Sequence, residues 1–160
     1  MTRDWTAELQ ALGVVACDVT EDSRSVGPGA IFVARPGEVS DGRAFIPAAE
    51  SAGAVAVLTD TQGAAACNGP VLTSEQLTRD AATLAHHVHG DPTTALEVVG
   101  ITGTNGKSTC ALLLQHVLHA TDGKAGLVGG VHVDDGRART RATLTTPQAT
   151  DLASIFAAMV

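Results

Sequence analysis

The chain has 160 residues, 44% hydrophobic and only 2% aromatic, with a formal net charge of −7. That is apolar enough for a core built from Ala, Val and Leu, which excludes global disorder, and small side chains favour the close helix–sheet layers of an α/β architecture. The acidity is uneven, −6 over residues 1–90 and −1 over residues 91–160, and the lack of a basic patch argues against a nucleic-acid partner.

Trp5, Leu9 and Leu12 recur at helical spacing, and Gly13 marks the stop. Residues 30–34 form an apolar run behind the turn Gly27-Pro28-Gly29 and predict a strand. A short helix is expected over residues 45–52, closed by Gly53, and a buried strand over residues 54–58. Residues 62–70 read as loop, and Val71-Leu72 as a further short strand. Ser74 is placed to cap a helix whose face carries Leu77, Ala81, Leu84, Ala85 and Val88, ended by Gly90. The breaker cluster Asp91-Pro92-Thr93-Thr94 predicts a domain boundary, with one domain over residues 1–90 and a second over residues 95–160.

In the second region, residues 96–101 predict a strand and residues 107–120 a helix. A second strand is expected over residues 125–129 and a turn at Asp134-Asp135-Gly136. The last helix is expected to open at Thr146-Pro147, with proline in its first position, and to bury Leu152, Ile155, Phe156 and Met159. Strand, loop, helix and strand in this order predict a βαβ unit, the start of a parallel sheet.

Between the first strand and helix of that unit lies Gly103-Thr104-Asn105-Gly106-Lys107-Ser108-Thr109. Glycines allow backbone conformations and close approaches that side chains block. Amides at a helix start suit phosphate. Lys107 would reach the β- and γ-phosphates of ATP, and the hydroxyl of Ser108 or Thr109 would bind Mg²⁺. The spelling departs from GxxxxGK[ST], because Ile101 holds the first glycine's position and Gly100 lies one residue early. The competing reading is a strand-to-helix turn with no ligand.

Other signals are weaker. His86, His87 and His89 cluster at a helix end, where protonated histidine suits the C-terminal dipole. His116 and His119 read as a solvated helix face, and the alternating Arg137, Arg139 and Arg141 as an exposed strand face or a contact for an anionic substrate. Cys17, Cys67 and Cys110 are isolated and read as reduced thiols. The first residues, MTRDWTAELQ, hold no apolar signal core, and no apolar run approaches the ~20 residues of a membrane span. A cytoplasmic protein is expected.

Gly100-Ile101-Thr102-Gly103-Thr104-Asn105-Gly106-Lys107-Ser108-Thr109 resembles the ATP loop of the Mur ligases, which build the peptide of bacterial peptidoglycan. The stretch Asp22-Ser23-Arg24 through Ala34 resembles the opening of their nucleotide-sugar domain. Asp41-Gly42-Arg43-Ala44-Phe45-Ile46 and residues 53–58 continue it, and Leu144-Thr145-Thr146-Pro147 is similar to their muramoyl-peptide contact segment. The combination is most similar to the members that add the third amino acid, and it covers the chain from about residue 20.

The resemblance implies an α/β fold, with a small nucleotide-sugar-binding domain followed by the start of a P-loop parallel-sheet ATPase domain. It implies an ATP- and Mg²⁺-dependent amide ligase. ATP phosphorylates the D-glutamate carboxyl of UDP-N-acetylmuramoyl-L-alanyl-D-glutamate, and the amine of meso-diaminopimelate attacks the acyl phosphate. Such catalysis is mostly positioning and charge neutralisation. Lys107 takes the catalytic role at the γ-phosphoryl group, residues Gly103 to Thr109 hold ATP, and Ser108 binds the metal. Glu21, Ser23, Glu38, Val39 and Ser40 are placed beside the uridine diphosphate, with Glu38 held off by charge unless it contacts through its backbone. Thr145 and Thr146 face the sugar-peptide.

Gly130 stands where the family usually has a threonine. The family's metal-binding glutamate, carbamylated lysine and amino-acid domain are expected beyond Val160. The chain is therefore expected to be an incomplete form, acting as a monomer on small molecules with no membrane partner. A module that binds UDP-sugar or ATP without turnover is the alternative. A small P-loop kinase is disfavoured by the Asp22-Ser23-Arg24 and Leu144-Thr145-Thr146-Pro147 segments.

Overall fold

Short apolar runs, each set off by glycine, proline or a polar cap, build the elements of the computed structural model, which describes residues 3–37, 40–121, 123–142 and 146–160. The chain divides into two compact units, Met1–Asp91 and Pro92–Val160.

The first unit opens with α1 (Trp5–Ala11), where the Asp4 carboxylate accepts from the Ala7 N–H at 3.1 Å and Trp5 and Leu9 are buried. Then come β1 (Asp18–Thr20), β2 (Ala30–Ala34), a 3₁₀ turn (Gly42–Phe45), α2 (Ile46–Ser51), β3 (Ala56–Thr59), α3 (Thr61–Ala64), β4 (Val71–Thr73) and α4 (Leu77–Val88). The sheet order is β1-β2-β3-β4 and every pair is parallel, in the register Val19↔Ile31, Phe32↔Val57 and Leu58↔Leu72. Every residue of β2 and β3 is buried, which is why both read as unbroken apolar runs. Phe32, Ala34, Ile46, Ala49 and Val57 form a core cluster that Val26, Ala54 and Cys67 join from its margin. Ala81, Leu84 and Ala85 are the buried residues of α4.

Three local expectations differ here. Residues 62–64, read as loop, belong to α3 because Asp60 caps it, its carboxylate accepting from the Gly63 N–H at 2.7 Å. Ser74 is not the cap of α4; that position is Gln76. Ser74 Oγ instead accepts from the Gln76 N–H at 2.8 Å and donates to Asp80 at 2.7 Å, bracing the turn before the helix. The sequence reading also lacks β1, whose three residues, Asp-Val-Thr, hold only one apolar side chain.

The second unit contains a 3₁₀ turn (Pro92–Thr94), α5 (Lys107–Ala120), β5 (Leu127–Val128), β6 (His132–Asp134), β7 (Arg139–Arg141) and α6 (Ala149–Met159). Its sheet is antiparallel in the order β5-β6-β7. The β6–β7 turn is set by Asp134 and Asp135, whose carboxylates accept the N–H groups of Gly136, Arg137 and Ala138, with Gly136 at φ 83°. The expected strand over residues 96–101 does not form. A strand needs a ladder partner, β5 takes β6 as its partner, and the Val98 and Val99 side chains are exposed. The parallel sheet of this α/β chain therefore lies in the first unit. Pro147 precedes the Gln148 cap and stands outside α6, whose deepest residues are Thr150 and Ala153. Leu152, Ile155, Phe156 and Met159 are half-buried. No described helix is long and apolar enough to cross a membrane.

Candidate functional site

A parallel sheet ends all its strands on one edge, and ligands of open α/β sheets bind outside that edge. In the first unit the edge is made by the residues that follow β1, β2, β3 and β4: Glu21 to Ser23, Arg35, Asp60 and Ser74. A groove of about 460 Å³ opens there, lined by Arg35, Pro36, Asp60 and the segment from Ser74 to Arg79 that leads into α4.

Glu21 accepts a hydrogen bond from Arg35 Nε, so the ends of β1 and β2 are joined by an ion pair. Ser23 is half-buried in the turn closed by the Ser25 N–H to the Asp22 carbonyl at 2.9 Å. Asp22 accepts from the Arg24 side chain at 2.8 and 2.9 Å and from its backbone N–H at 3.0 Å. These bonds pull the Asp22 carboxyl down to about 2.

Ser40 is exposed in a segment that leaves β2 and returns beside it. Pro36 and Asp41 are bridged, and the Gly42 N–H donates to the Arg35 carbonyl at 2.9 Å. The return is tight: a Cβ on Gly42 would meet the Arg35 carbonyl oxygen at 2.7 Å. Glu38, Val39 and Thr145 lie outside the described residues, as does Leu144. Thr146 is exposed ahead of α6 in the second unit. The residues after β1 thus include Glu21 and Ser23, and the segment after β2 carries Ser40. The edge also adds Arg35, Arg43 and Asp60, to which the sequence reading gave no role. Arg35 directly follows a wholly buried strand, and that position was a usable signal.

In the second unit, the glycine loop enters α5 through Gly106, which is left-handed at φ 78°, and Gly103 has φ 151°. No side chain caps this helix, and its first backbone bond runs from the Cys110 N–H to the Gly106 carbonyl at 2.8 Å. The amides of Lys107, Ser108 and Thr109 thus have no intrahelical acceptor, the arrangement that receives phosphate. Lys107 Nζ donates to the carbonyl oxygen of Gly103 at 2.6 Å. Thr104, Asn105, Ser108 and Thr109 are exposed beside it. The described residues hold no group of three or more His, Cys, Asp or Glu able to bind a metal. The donor set fits a Mg²⁺ ion shared between one hydroxyl and nucleotide phosphates, as hard cations of this size prefer.

Two of the histidines have partners nearby. His89 Nε2 lies 3.2 Å from Asp18 Oδ1, and His119 Nε2 lies 3.1 Å from the Ala125 carbonyl oxygen. Arg139 donates to Asp134 at 3.1 and 3.2 Å, while Arg137 and Arg141 are exposed.

Residues 18–102 match the model of the Mur ligase family, catalytic domain, and residues 101–160 that of the Mur ligase middle domain. The UDP-N-acetylmuramoyl-L-alanyl-D-glutamate--2,6-diaminopimelate ligase of Streptomyces avermitilis is 43% identical over 144 residues, spanning 88% of this chain and 28% of the relative. The ligase of the same name from Chromobacterium violaceum is 43% identical over 149 residues, spanning 90% and 30%. The chain therefore spans about three tenths of the length of these relatives. A solved structure of a ligase of that name superposes with a TM-score of 0.67 at 21% identity, covering 89% of this chain and 29% of that one. The MurF ligase of Thermotoga maritima in complex with ADP gives 0.62 at 22%, covering 97% and 30%. At such identities these two structures speak for the fold.

Proposed function

The chain belongs to the Mur ligase family, and from that premise we propose that it carries the nucleotide-sugar-binding part, residues 1–90, and the start of the ATP-binding part, residues 95–160, of a ligase of peptidoglycan precursor synthesis. The reaction is the ATP-dependent addition of meso-diaminopimelate to UDP-N-acetylmuramoyl-L-alanyl-D-glutamate. The observation that supports this reading is that Glu21, Ser23 and Ser40 all follow the carboxyl ends of two adjacent parallel strands, β1 and β2, in a chain whose second unit opens a helix on an uncapped glycine loop.

At the sheet edge, Ser23 and Ser40 offer hydroxyls to the uridine diphosphate, with Val39 and the Glu38 backbone beside them. Glu21 acts through Arg35, which it holds at the mouth of the groove. Thr145 and Thr146 contact the sugar-peptide. At the glycine loop, the amides from Gly103 to Thr109 wrap the phosphates, Lys107 neutralises the γ-phosphoryl charge, and Ser108 holds Mg²⁺. ATP supplies the phosphoryl group that activates the D-glutamate carboxyl toward the amine. The protein is a cytoplasmic monomer.

Calorimetric titration of the chain with UDP-N-acetylmuramoyl-L-alanyl-D-glutamate and, separately, with ATP and Mg²⁺ tests the reading. Saturable binding of both is expected. Failure to bind the nucleotide-sugar would remove the assignment of the sheet edge.

A further inference from the structure

The described residues on either side of Ser40 are exposed, as Ser40 is: Pro36, Gly37 and Asp41. Polar links reach this segment at Asp41, and the Arg43 side chain supplies three of them. Arg43 Nε donates to both Asp41 carboxylate oxygens, at 2.9 and 3.0 Å, and Nη2 donates to Asp41 at 2.6 Å. Nη1 donates to Asp60 at 3.0 Å and to Gln62 at 2.7 Å. A single planar guanidinium thus joins the end of the segment, at Asp41, to the end of β3 and the start of α3.

Both anchors are themselves fixed. Asp60 uses its other oxygen to cap α3. Asp41 also receives the Arg43 backbone N–H at 3.0 Å and sits opposite Pro36. The Arg43 stem crosses Gly63, where an added Cβ would lie 3.1 Å from Cγ. Arg43 is shared between two carboxylates, so it carries no surplus positive charge for a phosphate. Its geometry is that of a clamp.

We infer that Arg43 is a positioning residue for nucleotide-sugar recognition: it ties Asp41, the residue next to Ser40, to the end of β3 and so presents Ser40 to the ligand in one orientation. The inference rests on the reading of this sheet edge as the nucleotide-sugar site. The fork geometry matters, because a lysine offers one point charge where the guanidinium bridges three side chains in a plane.

The test compares the 160-residue chain with Arg43→Ala, Arg43→Lys and Gln62→Ala. Each is titrated with UDP-N-acetylmuramoyl-L-alanyl-D-glutamate and with ATP, and amide exchange is followed at Ser40 and Gly42. The expected result is about tenfold weaker nucleotide-sugar binding for Arg43→Ala. Exchange at the two amides should be faster, while ATP affinity and the melting curve stay close to wild type. Arg43→Lys should recover only part of the loss. Gln62→Ala removes one anchor outside the substrate segment and should weaken binding by a smaller factor; it decides the matter should Arg43→Ala fail to fold. Equal nucleotide-sugar affinity across the variants, with wild type binding normally, would overturn the inference and leave the site standing. Parallel loss of affinity and melting temperature would make Arg43 a fold residue and also overturn it. A wild-type chain that binds no nucleotide-sugar would overturn both the site and the clamp.

Discussion

Lys107 Nζ donates to the carbonyl oxygen of Gly103, 2.6 Å away, so the lysine of the glycine loop is folded back on its own loop. A phosphate that draws the ammonium group away must replace this bond. A hydrogen bond to a charged group contributes about 1.5–3 kcal/mol, and the loss of the Gly103 contact offsets part of it. Lys107→Ala is therefore expected to weaken ATP binding by about tenfold while leaving adenosine binding unchanged. The side chain is exposed, so the melting curve should not move. Calorimetry with both ligands checks this, and equal ATP affinity in the two forms would reduce the loop to a structural turn.

Gly63 has no room for a side chain. A Cβ there would lie 2.1 Å from Thr59 Oγ1, and Thr59 is fully buried and donates to the Ala34 carbonyl at 2.7 Å. Gly63→Ala must shift α3 or break the bond that ties β3 to β2. Overpacking of this kind costs about 1–3 kcal/mol. Urea unfolding followed by circular dichroism should show that loss. An unchanged midpoint would mean that α3 moves freely.

Asp22 titrates at about 2, chiefly because the Arg24 side chain hydrogen-bonds its carboxylate, with help from the Arg24 backbone N–H. A carboxyl whose folded value is depressed favours the folded state above its unfolded value, near 4. That contribution disappears as the pH falls from about 4 to about 2. Both side chains are exposed, so the effect on overall stability is small. The carboxyl carbon shift of Asp22 should titrate near 2, and in Arg24→Ala it should move back up toward the usual carboxylate range. A midpoint near 4 in the unaltered chain would show that the pair does not persist in solution.

The parallel sheet was legible because its two central strands are buried on both faces, which leaves Ile31, Phe32, Val33, Val57 and Leu58 as unbroken apolar runs. β1 was not, since a three-residue edge strand with one apolar side chain carries no period. Residues 96–101 show the reverse failure: an apolar run meets the strand criterion, yet among the described residues no strand pairs with it and Val99 stays exposed. Ser23, Ser40 and Lys107 became candidates through short segments and the family resemblance they carry. Arg35 and Arg43 gain their roles from partners 14 and 17 residues away in the chain, Glu21 and Asp60. No local pattern records those contacts; the parallel topology creates them.

The carboxyl edge of the parallel sheet, the proposed nucleotide-sugar site, lies wholly within the first unit. All four strands of the parallel sheet and their helices fall within Met1–Asp91. A chain ending at Asp91 is therefore expected to fold alone and give dispersed amide resonances. UDP should shift the amides of Ser23, Arg35 and Ser40 at the carboxyl edge. It should spare Gly29 and Gly53, whose N–H to carbonyl bond of 3.3 Å lies at the opposite ends of β2 and β3. Ser23→Ala removes one neutral hydrogen bond, worth about 0.5–1.5 kcal/mol, so UDP affinity should fall about two- to tenfold. The dispersion should remain, since Ser23 is only half-buried and lies outside the core cluster. Shifts centred on Gly29 and Gly53 would move the site to the other edge. A collapsed spectrum from the shortened chain would mean that the first unit needs the second to fold.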